Sequence, residues 1–72
     1  MLERVKKILS KYTKVSEITE ETVLTVDLGL SSFDVVSIVS DFEDEFDIDI
    51  PDRDIRKLVT VKDIIEYVQS KI

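Results

Sequence analysis

The sequence predicts a small all-α protein, a four-helix bundle of three main helices and one short helix that forms a single domain over residues 1–72. Apolar residues recur at steps of three and four in three separate segments, which is the spacing of one buried helix face. Glycine and proline occur once each, so few residues interrupt those segments. Residues 22–26 are rich in β-branched side chains, but no other segment offers them a strand partner.

The first helix is predicted to begin near the start of the chain and to end near Thr13 or Lys14. Its apolar face comprises Leu2, Val5, Ile8, Leu9 and Tyr12. Residues 16–31 show no sustained period and predict a long loop that places apolar side chains in the core. A loop of this length is unusual in so small a domain and is often functional. Its apolar residues are Ile18, Val23, Leu24, Val26, Leu28 and Leu30.

The second helix is predicted to follow Ser31, a residue type that is favoured as an N-cap. Asp34 stands three positions later and could close a capping box with Ser31. A carboxylate in the first turn is also favoured by the helix dipole. The apolar stripe of this helix comprises Val35, Ile38, Val39, Phe42 and Phe46.

Two further helices are predicted in the last third of the chain. Pro51 is typical of the start of a helix and predicts a short one over roughly Asp52 to Leu58. Its buried residues are expected to be Ile50, Ile55, Leu58 and Val59. Thr60, with Asp63 after it, predicts the N-cap of the last helix. The apolar stripe of that helix comprises Val61, Ile64, Ile65, Val68 and Ile72.

Composition excludes several functions. The chain has no cysteine and no histidine, so it lacks the commonest nucleophile, general base and metal ligands.

Its net charge is −6, and residues 34–54 hold nine acids and one base. Such a surface should repel nucleic acid and anionic lipid and attract basic proteins. The acidic residues Asp47, Asp49 and Asp52 do not form a calcium-binding loop of the EF-hand type, because Pro51 interrupts the pattern and no glycine follows. We therefore expect no metal site and no binding to nucleic acid.

The stretch Asp27-Leu28-Gly29-Leu30-Ser31-Ser32-Phe33-Asp34, followed by the second helix and by Ile48-Asp49-Ile50-Pro51-Asp52, resembles the acyl carrier protein family over nearly the whole chain. In that family the serine of an Asp-Ser-Leu motif carries phosphopantetheine. The resemblance implies that Ser32 is the attachment residue, because Ser32-Phe33-Asp34 fits the family frame. Ser31 replaces the usual aspartate and Phe33 the usual leucine. The alternative is that Ser31 and Ser32 only cap the helix.

The resemblance also implies partners. A phosphopantetheinyl transferase would load the arm from coenzyme A, and acyl-processing enzymes with basic docking surfaces would then use it. Helix geometry places the candidate contacts on the outward side or at the edge of the second helix. The candidate contact residues are Phe33, Asp34, Val36, Ser37, Ser40, Asp41, Glu43 and Asp44. The alternative interpretation of the acidic residues between 34 and 54 is that they form a solvated helix face without a binding role.

The implied function is carriage of acyl groups as thioesters on the arm, in fatty acid biosynthesis as the first hypothesis. The alternatives are a specialised carrier of polyketide, peptidyl or aminoacyl units, and an unmodified acidic interaction module. We expect a cytoplasmic monomer that is not an enzyme and that does not insert into membranes. A fatty acyl cargo is expected to enter the bundle interior among Phe42, Phe46, Ile64, Val68, Leu28 and Leu30.

Overall fold

A computed structural model describes all residues from 1 to 72 as a helical bundle without strands. The five helices are α1 (Leu2–Leu9), α2 (Leu24–Asp27), α3 (Ser32–Phe46), α4 (Asp52–Ile55) and α5 (Val61–Lys71). The all-α prediction is confirmed, and so are the three main helices. The number of short helices is two rather than one, because α2 lies within the segment that was predicted as a loop. No helix is both long enough and apolar enough to cross a bilayer.

The first helix ends earlier than predicted. Ser10 donates both its amide and its hydroxyl to the carbonyl of Lys6, and Lys11 and Tyr12 then donate to carbonyls only three residues back. Such bonds tighten a helix end into 3₁₀-type turns. Tyr12 therefore still packs against the core, although it lies beyond the regular helix.

A single core joins the helices, with α1 packed against α3 and α5. Phe42 is fully buried at its centre and stacks on Phe46, the two ring centroids lying 6.1 Å apart. Arg4 of α1 covers the edge of this pair, with its guanidinium 4.4 Å from the ring centroid of Phe46. The same guanidinium forms a 2.7 Å ion pair with Glu45. These contacts fix α3, which carries the candidate serine, against α1.

The long loop is held by a short backbone pairing that the sequence did not predict. Val23 and Thr60 form an isolated antiparallel bridge, but residues 24–26 lie in α2, so residues 22–26 form no strand, as predicted. The amide of Leu24 donates to the carbonyl of Val59, and the amide of Val61 donates to the carbonyl of Thr22, each at 3.0 Å. The loop is therefore attached to the junction between α4 and α5.

Three apolar residues that were predicted to be buried are exposed instead. Val26 lies between Leu24 and Leu28 on the one turn of α2, and because those two point inward, Val26 points outward. Val59 is exposed beyond α4. Ile72 is exposed because it follows the last residue of α5.

Candidate functional site

Ser32 occupies the first position of α3 and is exposed to solvent. The backbone that leads to Ser32 is held in place by Leu28 and Leu30, which are both buried. Between them Gly29 adopts φ +66°, a left-handed conformation that other residues disfavour. This conformation of Gly29 turns the chain into α3. The backbone before Ser32 is anchored while its side chain faces outward.

The two adjacent serines differ in what their hydroxyls do. The Ser31 oxygen accepts a 3.2 Å hydrogen bond from the amide of Asp34, and the Asp34 carboxylate accepts one of 3.0 Å from the amide of Ser31. The predicted capping box is therefore confirmed. The Ser32 hydroxyl has no hydrogen-bond partner within the chain. Of the two hydroxyls, only that of Ser32 is free of a structural role.

The start of α3 also provides donors for an anion. The amide N–H groups of Ser32 and Phe33 donate to no acceptor in the chain, as expected for a first helical turn. The 15-residue helix directs the positive end of its dipole to the same place. A phosphodiester on the Ser32 oxygen would meet these donors, so the residues present fit a phosphopantetheine arm.

An open apolar cleft of about 570 Å³ begins at Ser32. It runs between α2, α3 and α4. Its apolar walls comprise Leu24, Val35, Val36, Ile55, Leu58 and Val59, and its polar residues are Thr25, Ser32, Asp52 and Arg56. The cleft is a different place from the interior predicted for an acyl cargo. Those six interior residues are all buried, but none of them lines the cleft.

The wall formed by α4 is tied to α5 by a hydrogen bond between side chains. The Tyr67 hydroxyl donates to the Asp54 carboxylate at 2.6 Å, and Lys57 approaches the same carboxylate at 3.6 Å. The hydrogen bond from Tyr67 lowers the pKa of Asp54, assisted by Lys57. The same bond raises the pKa of Tyr67 from 10.0 to about 12. The helix α4 has a single turn and no fully buried residue, and this bond attaches it to α5.

Replacing Tyr67 with phenylalanine is expected to lower the melting temperature at neutral pH. The Tyr67 pKa is raised on folding, so its contribution to stability is present below pH 10 and lost as the pH rises towards 12. The Asp54 pKa is lowered on folding, so its contribution is present above pH 3.8 and lost as the pH falls through its folded pKa. The stability difference between the wild type and Tyr67→Phe should therefore be largest between those limits. Thermal melts as a function of pH measure it, and a difference independent of pH would contradict the assignment.

The eight predicted partner residues divide into two groups. Five are exposed: Phe33, Val36, Ser37, Ser40 and Asp44. Four of these, at positions 33, 37, 40 and 44, recur at steps of four, three and four, which places them on one side of α3. We call these four residues the outer face of α3. Val36 lies beside it and lines the cleft.

The other three predicted partner residues are carboxylates that already have partners within the chain. Asp34 closes the capping box. Asp41 accepts a hydrogen bond from the Tyr12 hydroxyl, which raises the pKa of Tyr12. Glu43 accepts a 3.0 Å bond from the amide of Ile50, where the chain reverses after Asp47. Each is partly buried. Asp44 is thus the one predicted acidic contact that is both exposed and unpaired.

Comparison with known proteins is consistent with this geometry. A family model described as "Phosphopantetheine attachment site" matches residues 3–68. The chain is similar to the acyl carrier protein of Thermotoga maritima, with 44% identity over 71 residues that cover 96% of this chain and 88% of the relative. It is also similar to the acyl carrier protein of an Exiguobacterium species, with 48% identity over 58 residues that cover 81% of this chain and 73% of the relative.

Proposed function

The chain belongs to the acyl carrier protein family of phosphopantetheine-binding proteins, and we propose that Ser32 is the residue that bears its arm. The observation that carries the proposal is the free, exposed hydroxyl of Ser32 at the start of α3, beside a cleft. In the loading step the Ser32 oxygen bonds to the phosphorus atom of coenzyme A that carries the pantetheine group. The adenosine bisphosphate portion leaves and the serine proton passes to a base of the transferase. The arm's thiol then holds acyl groups as thioesters, so the reactive group belongs to the cofactor.

We propose fatty acid biosynthesis as the pathway, with the cleft as the shelter for the first part of the acyl chain. Six apolar residues line the cleft, and Leu24 and Leu58 among them are buried in its floor. An acyl chain on an arm that begins at Ser32 would reach these walls if the arm folds back along the cleft, and it would not displace the packed core around Phe42. We further propose that the protein acts as a monomer in the cytoplasm and as a carrier with no catalysis of its own.

Carriage is tested by loading the chain from octanoyl-coenzyme A with a broad-specificity phosphopantetheinyl transferase. Intact mass should show one acylated arm per chain. Neutral hydroxylamine, which cleaves thioesters, should then release the octanoyl group and leave the arm in place. A chain that takes up no arm would instead support the unmodified interaction module.

The octanoyl form is expected to melt higher than the acetyl form. If the cleft covers two of the additional methylenes, the gain is about 1.6 kcal/mol, or roughly 6–13 °C for a domain of this size. Val59→Asp places a charge in the cleft and should reduce this difference. Val26→Asp is the matched control, because Val26 is also exposed but does not line the cleft. Thermal melts with no rise from acetyl to octanoyl would remove the sheltering proposal and favour a specialised carrier of short polar units.

Partner enzymes are proposed to dock on the outer face of α3, where exposed Phe33 provides apolar area and Asp44 provides charge. Ser40→Lys with Asp44→Lys should reduce kcat/KM of a basic partner enzyme roughly tenfold at low salt, because steering accelerates encounter. The loss should shrink at high salt. The matched control is Gln69→Lys with Glu66→Lys on exposed positions of α5, which changes the charge equally. Equal losses in the two double variants would indicate only an effect of net charge.

A further inference from the structure

Arg56 is the only cationic residue that lines the cleft beginning at Ser32. It caps the C-terminal end of α4 and is exposed. Ser32 lies across from it on α3, so the cleft places the guanidinium and the serine hydroxyl on walls formed by different helices. The rest of this region is strongly acidic, with nine acids and one base in residues 34–54.

Arg56 also has no partner within the chain. Arg4 is paired with Glu45 at 2.7 Å, and Lys57 is paired with Asp54 at 3.6 Å. The Arg56 guanidinium makes neither an ion pair nor a hydrogen bond, although the Asp52 carboxylate lines the same cleft. Its five N–H donors are thus available to a ligand in the cleft.

We infer that Arg56 is a positioning residue that binds the phosphodiester of the arm on Ser32 and holds the arm along the cleft. The inference rests on the proposed attachment at Ser32. A phosphodiester bonded to the Ser32 oxygen is permanently anionic and begins where the cleft begins. The planar guanidinium is well suited to phosphate oxygens, which it can contact through two parallel hydrogen bonds. Held in this way, the arm lies against Val36 and Ile55, and its thiol is partly shielded from solvent.

The experiment uses the loaded protein with the bare arm, confirmed by intact mass to carry one arm per chain. The rate of alkylation of the arm thiol by iodoacetamide, a neutral reagent, is measured at several pH values so that a change in thiol pKa is separated from a change in shielding. Because exposed ion pairs are weak, Arg56→Gln should raise the alkylation rate roughly two- to fivefold. The ³¹P resonance of the phosphodiester should also shift.

Two variants on α4 make the test specific. Arg53→Gln removes the same charge from the same helix, but Arg53 does not line the cleft, so its rate should match the wild type. Asp52→Asn removes an anionic group that lines the same cleft and would repel the phosphodiester, so it should slow alkylation. High salt should reduce these differences. Equal rates and equal ³¹P shifts for Arg56→Gln and Arg53→Gln would overturn the inference while leaving attachment at Ser32 intact. A chain that accepts no arm would overturn both.

Discussion

Replacing Ser32 with alanine is expected to abolish attachment of the arm completely. The substitution removes the one hydroxyl at the start of α3 that is exposed and has no partner within the chain. The side chain of Ser32 contributes no hydrogen bond to the fold, so stability should change by less than about 0.5 kcal/mol. Intact mass after incubation with coenzyme A and a transferase measures the effect, and circular dichroism verifies that the helices are retained.

Ser31→Ala is the matched control. It removes the side chain that accepts from the amide of Asp34, and loss of such a cap costs about 1 kcal/mol. The start of α3 should fray, so loading should become slower but still reach one arm per chain. Loading that survives Ser32→Ala, or that disappears only in Ser31→Ala, would show that the two serines are assigned in the wrong order.

Replacing Phe42 with alanine is expected to cause the largest loss of stability of any alanine substitution in the chain, because Phe42 is the largest fully buried side chain. Phe42 is fully buried and stacks on Phe46. Removing a buried phenylalanine costs about 3–5 kcal/mol, because the apolar contacts are lost and a cavity remains. A domain of 72 residues has a total stability of only about 4–11 kcal/mol. The variant should therefore lose between about a quarter and all of its stability, as urea denaturation would measure.

Phe33→Ala provides the comparison on the same helix. Phe33 is 84% exposed, so the same substitution should leave stability nearly unchanged. Its effect should fall instead on transfer to partner enzymes, since Phe33 belongs to the outer face of α3. Similar losses of stability in the two variants would contradict the division of α3 into a buried stripe and an outer face.

The sequence predicted the elements whose signals extend over several turns. The apolar stripe of α3 repeats from Val35 to Phe46, so both the helix and its buried side could be inferred. The capping boxes at Ser31 and Thr60 were recognisable because a capping residue and its acidic partner stand three positions apart. The four-residue α2 was missed because one turn contains too few residues to reveal a helical period.

Features that depend on how helices approach one another could not be inferred in this way. Periodicity assigns Val36 and Ile55 to helix sides, but it does not reveal that a gap remains between α3 and α4. The hydrogen bond from the amide of Ile50 to the Glu43 carboxylate could not be inferred from the sequence either. It depends on the reversal of the chain at Asp47, where φ is +54°. Charge alone made Glu43 a docking candidate, and its partner inside the chain redirects that role to Asp44.

The most direct test of attachment at Ser32 is to locate the arm on the loaded wild-type chain by backbone fragmentation in a mass spectrometer. Cleavage between Ser31 and Ser32 separates the two candidates without any mutation. The N-terminal fragment ending at Ser31 is expected to have no added mass, and the fragment ending at Ser32 is expected to carry the whole arm. An arm already present on the fragment ending at Ser31, or absent from the fragment ending at Ser32, would contradict attachment at Ser32.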